Sequence, residues 1–158
     1  MSSVLENLEF FDLLRERHIQ VRSIIEKRWN DSSNIYISNS EWFILSRIYQ
    51  QEPTISSVSK QVNISRQATH KVIKNLEAKG LLKIKNLENN KKDKCVHLTE
   101  LGEKCYQEYI ELKANLEKKI IEQIGDEQFR LLKAIMESDW GLQSLIKESN
   151  PTLLGSDS

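Results

Sequence analysis

The sequence predicts a mainly α-helical fold, in which two short helices joined by a tight turn are followed by one small β-hairpin. Three observations carry this expectation. Apolar residues recur at three- and four-residue spacing over most of the chain, the period of a helix with one buried face. Ser38, Thr54 and Ser65 stand where side-chain hydroxyls cap new helices, so the middle of the chain is cut into short ones. Alternation of period two replaces the helical pattern between Leu82 and Leu98, on both sides of a polar stretch.

In the first thirty residues Leu8, Phe11, Leu14, His18, Val21 and Ile25 form one apolar stripe, and Asn30 to Asn34 reads as a polar loop. Ser38 and Glu41 make an S-x-x-E capping box for a second helix carrying Trp42, Leu45, Ile48 and Tyr49, which stops before Pro53. Thr54 caps a short helix with Ile55, Val58 and Val62, and Asn63 suits a left-handed turn. Ser65 caps the next helix, with Ala68, Val72, Ile73 and Leu76 facing inward and Gly80 as the residue that ends it. Leu82, Ile84 and Asn86 alternate with Lys83 and Lys85, and Val96 and Leu98 with Cys95 and His97, so Leu87 to Lys92 is the expected tip of a hairpin wing. A long helix from Thr99 to about Gln123 carries Leu101, Cys105, Tyr109, Leu112, Leu116 and Ile120. A last helix from Gly125-Asp126 carries Phe129, Leu132, Ile135, Met136, Trp140, Leu145 and Ile146, with a bend expected at Gly141.

At 158 residues the chain has room for one domain with a real core, expected over residues 1–149, with a loose tail at 150–158. No apolar run approaches the roughly eighteen residues of a membrane span, and the first residues lack the basic start and apolar stretch of a secretory signal. Two cysteines ten residues apart fit a reducing compartment, so a cytoplasmic protein is expected. The net charge of zero conceals a strong asymmetry. Residues 60–94 hold ten Lys or Arg against three acids, a net +7 balanced by −7 elsewhere. Such a segment points to nucleic acid or acidic lipid as partner.

The stretch from Ile64 to Leu81, ISRQATHKVIKNLEAKGL, carries the functional signal. With its apolar residues turned inward, Ser65, Arg66, Gln67, His70, Lys71 and Lys74 remain on the start and outer face of one helix. Arg reads guanine, Gln reads adenine and Lys holds the phosphate backbone, so these are the side chains a helix needs in a major groove. Lys91 and Lys92 on the following hairpin extend the set toward flanking phosphates. A plain amphipathic helix with a solvated basic face is the competing reading, and the adjoining basic hairpin argues against it.

In ISNSEWFIL, in NISRQATHKVIKNLEAKGLL and in HLTELGEK the sequence resembles the MarR family of bacterial transcription regulators. The resemblance implies a winged helix-turn-helix core over about 37–99, flanked by N- and C-terminal dimerisation helices at about 4–29 and 100–148. It also implies a homodimer that represses transcription from pseudo-palindromic double-stranded DNA and answers to a small anionic or aromatic effector, with an architectural or protein-interaction module as the alternative. Phe11, His18, Trp42 and Tyr106 are the expected lining of the effector pocket. The wing departs from the family, which has Asp followed by two Arg where this chain has Asn90, Lys91 and Lys92. Asn90 cannot supply the carboxylate that braces the family's wing against an arginine.

Cys95 and His97 share a strand face with Cys105 one segment away, which falls short of the ligand set that zinc requires. No metal or cofactor is expected. No Gly-rich phosphate loop, H-E-x-x-H or G-x-S-x-G is present, so neither is an enzymatic activity.

Overall fold

The computed structural model describes residues 5–87 and 90–149, with the backbone alone at Leu87 and Asn90–Lys92. Among the described residues, seven helices and one hairpin follow in the order α1 (Phe10–Ser32), α2 (Asn39–Ile48), α3 (Ile55–Val62), α4 (Arg66–Ala78), β1 (Leu82–Leu87), β2 (Asn90–Leu98), α5 (Glu100–Ile124), α6 (Asp126–Glu137) and α7 (Leu142–Ser149). No described helix is long and apolar enough to cross a membrane. The chain divides into two compact units, residues 1–115 and 116–158. The predicted tail at 150–158 lies outside the described residues.

The first unit holds the core. Trp29, Trp42, Ile44, Leu45, Ile48, Ile55, Val58, Ile73, Leu76, Leu81, Leu82 and Val96 form one buried cluster from α1 to β2. The capping box of α2 is formed as predicted: Ser38 Oγ accepts from the Glu41 amide at 3.2 Å, and Glu41 Oε1 accepts from the Ser38 amide at 3.0 Å. Thr54 caps α3, and Asn63 takes the left-handed conformation at φ 54°, which turns the chain toward α4. At the far end of α4 the Leu81 and Gly80 amides return to the carbonyls of Leu76 and Glu77, and Gly80 supplies the positive φ of this Schellman ending.

The hairpin pairs antiparallel, Leu82 with Leu98 and Ile84 with Val96 on the inner face, Lys83 with His97 and Lys85 with Cys95 on the other. Pairing runs further than the sequence indicates, because Leu87 still pairs with Asn90, so the strands take up most of the predicted tip at Leu87 to Lys92. The register shifts between Asn86 and Leu87. The hairpin is seated at its base by two connections. An isolated bridge joins Cys95 to Thr54, and the Val96 amide donates to the Pro53 carbonyl at 3.0 Å. Thr99 then closes the other side. Its hydroxyl donates to the Gly80 carbonyl and accepts from the Gly102 amide at 3.1 Å, capping α5. Gly102 is pressed so tightly on this junction that a Cβ there would lie 2.0 Å from the Leu81 carbonyl oxygen.

Helix α1 differs from the expectation at both ends. It starts at Phe10, after Asn7 at φ 69°, and runs through Asn30–Ser32, where the Lys27–Asp31 pair at 2.9 Å spans the last turn. Only Ile25 and Trp29 of it are buried. Phe11, Leu14, His18 and Val21 of the apolar stripe are exposed in the single chain. Leu101 of α5 is likewise exposed. In the second unit the expected single last helix is two. Ser138 Oγ and Trp140 Nε1 both donate to the Ile135 carbonyl, at 2.6 and 2.7 Å, and this competition for a helix acceptor ends α6. Neither α6 nor α7 buries any residue.

Candidate nucleic-acid interface

Helix α4 is built to show one face and hide the other. Ser65 Oγ accepts from the Ala68 amide at 3.1 Å and fixes where the helix begins, so the phase of every later residue follows from it. Thr69, Ile73 and Leu76 are buried, whereas Ser65, Arg66, Gln67, His70, Lys71 and Lys74 are exposed, as the sequence predicts. Ala68 and Val72 are only half-buried. The core position in their place is Thr69, a polar residue that an apolar periodicity passes over. Its hydroxyl donates to the Ser65 carbonyl at 3.0 Å, so burying it leaves no unpaired group.

Arg66, His70 and Lys74 recur every four residues and share one edge of α4. Together with Ile55 and Ser56 of α3, Ile84 of β1, and Asp93 and Lys94 of β2 they line a groove of about 250 Å³ between the helix and the hairpin. Gln67 and Lys71 are exposed beside this edge but do not line the groove. The groove is not uniformly basic, since Asp93 lies in it and its Oδ1 accepts from Ser56 Oγ at 2.9 Å. The side chains of Lys91 and Lys92 lie outside the described residues; their backbone belongs to β2.

The basic segment also contains a cation that the structure withdraws from any such surface. Lys79 Nζ reaches Glu41 Oε1 and Oε2 at 2.7 and 2.8 Å and the Tyr36 carbonyl at 2.7 Å, clamping the end of α4 to the start of α2. Glu41 thereby serves both its own capping box and this ion pair, which explains why a carboxylate is tolerated in a buried position. Lys74 pairs with Glu77 at 3.6 Å in a solvent-exposed contact that leaves it free to exchange partners.

The four residues expected round an effector divide between two environments. Trp42 and Tyr106 are core: Trp42 stacks on Tyr109 at 4.0 Å and 6°, meets Trp29 edge-on at 4.8 Å, and lies 6.2 Å from Tyr106. Phe11 and His18 lie exposed on α1. A second cavity, of about 410 Å³, is lined by Arg28, Trp29, Ser32, Glu108, Glu111, Leu112 and Asn115, and neither cavity is lined by any of the four. The sequence did not indicate Lys113, whose ammonium sits 4.4 Å over the Tyr109 ring and is lowered in pKa by burial. Burial likewise pushes the Tyr109 phenol up. Cys95 and His97 are half-buried on β2, whereas Cys105 is buried. Its thiol is pushed up chiefly by desolvation, then by Glu108, with Lys104 opposing. No group of three or more metal-ligating side chains occurs among the described residues.

An exposed basic helix in second position of a helix-turn-helix, with a β-hairpin beside it, defines the winged-helix class. Residues 37–94 match the model of the MarR family. Solved structures agree at the level of the fold. Streptococcus pneumoniae FabT in complex with DNA superposes with a TM-score of 0.70 at 22% identity, covering 89% of this chain and 94% of that one. The S. aureus MepR–DNA complex gives 0.70 at 17% identity, covering 90% and 99%. Wild-type MarR from E. coli in its apo form gives 0.68 at 15% identity, covering 84% and 97%. No curated protein sequence matches the chain.

Proposed function

We propose that the protein is a transcription regulator that binds pseudo-palindromic double-stranded DNA as a homodimer, represses the adjoining promoter, and is released by a small anionic or aromatic effector. The observation that carries the reading is the exposed row Arg66, Gln67, His70, Lys71 and Lys74 on a helix whose opposite face is core. Its N-terminal turn presents Ser65, Arg66 and Gln67 for base edges, while Lys91 and Lys92 on the hairpin supply phosphate contacts. The homodimer is supported by the apolar surface that the single chain leaves uncovered: Phe11, Leu131, Met136 and Leu145 are each more than half exposed. Twofold symmetry then presents two reading helices to successive major grooves, about 34 Å apart. The match of residues 37–94 to the MarR family model supports the regulatory role and the response to an effector.

The test is titration of duplex DNA at several salt concentrations with wild type and Lys91→Ala. Wild-type affinity should fall steeply with salt, and Lys91→Ala should lower the log–log slope by roughly 0.9 per half-site, because one phosphate contact releases its counterions. Salt-insensitive binding by wild type would contradict the reading.

A further inference from the structure

Position 90 of the wing is Asn, and the wing is attached to α3 through another of its residues, Asp93. We propose that Asp93 is a positioning residue which, through Ser56, sets the distance between the wing and the reading helix, at the cost of placing a negative charge beside the DNA; this rests on the DNA-binding reading above. The ladder between β1 and β2 is regular as far as Asn86 and Lys94, after which the register shifts and Leu87 pairs with Asn90; among the described residues, 91–93 have no partner on β1. Asp93 is therefore the first residue beyond the regular ladder. Its carboxylate accepts from the Ser56 hydroxyl at 2.9 Å, an attachment across 37 residues from wing to α3. The Cys95–Thr54 bridge and the Val96–Pro53 hydrogen bond hold the same strand to the same lead-in to α3. Ser56 adds a third and outermost anchor on that line.

The location of the pair gives it a consequence for binding. Ser56 and Asp93 line the groove with Arg66, Lys74 and Lys94, and Arg66 belongs to the first turn of α4. A carboxylate there repels phosphate, so on charge alone its removal strengthens binding. The hydrogen bond works in the opposite direction by fixing the wing, and the two effects separate by substitution.

The experiment compares wild type with Ser56→Ala, Asp93→Asn and Asp93→Ala, in operator titrations at two salt concentrations and in amide hydrogen exchange of the free protein. Ser56→Ala keeps the charge and loses the anchor. It should bind about fivefold more weakly per half-site, the worth of one net hydrogen bond, and exchange faster at Lys85, Asn86, Lys94 and Cys95. Asp93→Asn keeps an oxygen that accepts from Ser56 and loses the charge. It should bind more tightly than wild type, by a factor that shrinks as salt rises, with wild-type exchange. Asp93→Ala loses both, and should fall about fivefold short of Asp93→Asn. Equal affinity of the Asn and Ala variants, or wild-type binding and exchange in Ser56→Ala, overturns the positioning role and leaves the functional reading standing. Failure of wild type to bind any duplex overturns the functional reading, and the exchange data then still decide whether Ser56 and Asp93 hold the wing.

Discussion

Lys79→Met removes the ammonium that closes over Glu41, and its effect distinguishes a structural cation from a DNA-binding one. The Glu41 side chain is 6% exposed and that of Lys79 28%, with the shortest contact at 2.7 Å. Stripping one partner from a buried pair costs about 3–5 kcal/mol, because the remaining charge is left without compensation. Here the compensation is only partly lost. Glu41 keeps the Ser38 amide at 3.0 Å and stays at the N-terminal end of α2, where the helix dipole favours a negative charge. The exposure of Lys79 reduces the loss further, so we expect about 2 kcal/mol. With a urea m-value of about 2 kcal/mol/M, the unfolding midpoint should fall by about 1 M. A double-mutant cycle with Glu41→Gln should return a coupling of about 1–2 kcal/mol. The slope of DNA affinity against salt should not change, since Lys79 is committed to the protein body. A midpoint within about 0.2 M of wild type, or a slope reduced by roughly 0.9 per half-site, would refute the assignment and make Lys79 a phosphate ligand.

Three further outcomes follow from the same geometry. Gly102→Ala should cost about 2–3 kcal/mol in chemical unfolding, because its Cβ would meet the Leu81 carbonyl at 2.0 Å and force α5 off the hairpin junction; a loss below about 0.5 kcal/mol would show that this junction yields freely. Arg66→Ala and Gln67→Ala should each cost on the order of 1–3 kcal/mol per half-site and relax the preference at particular base pairs, and uniform weakening over all sequences would remove them from base readout. Cys105 should resist alkylation in the folded protein. Its folded thiol ionises above the ordinary value of 9.0, so the unfolded chain ionises first. Its contribution is intact below that pH and is lost as pH rises through and beyond it. Cys105→Ala should therefore flatten the alkaline limb of stability, and an unchanged limb would assign that loss to other groups.

What could be read from the sequence was whatever local chemistry decides. The caps at Ser38, Thr54 and Ser65, the left-handed Asn63 and the Schellman glycine at position 80 each depend on contacts within a few residues, and each is found where expected. The exposed row on α4 followed because Ser65 sets its phase. Features made by distant residues were not legible. Lys79 counts as one more cation until Glu41, 38 positions away, is seen beneath it. The Ser56–Asp93 contact leaves no periodic trace in the chain. Periodicity marks a stripe without saying what covers it. Phe11, Leu14, His18 and Val21 repeat at helical spacing and stand exposed in one chain. Trp42 and Tyr106, expected round an effector on family resemblance alone, lie in a cluster of aromatic rings that the spacing does not reveal. The break at Ser138–Gly141 comes from side chains bonding the Ile135 carbonyl, a competition that apolar spacing does not register.

The most direct test of the whole account is selection of bound duplexes from random DNA by the purified protein at near-physiological salt. The enriched sequences should contain two inverted half-sites with centres about 10 base pairs apart, one for each reading helix of a dimer. Mass measurement of the complex should give two chains per duplex, and Arg66→Ala should lose specific base pairs of the motif. Enrichment of a single unpaired half-site by one chain would contradict the dimeric mechanism, and no enrichment over the starting pool would contradict sequence-specific binding itself.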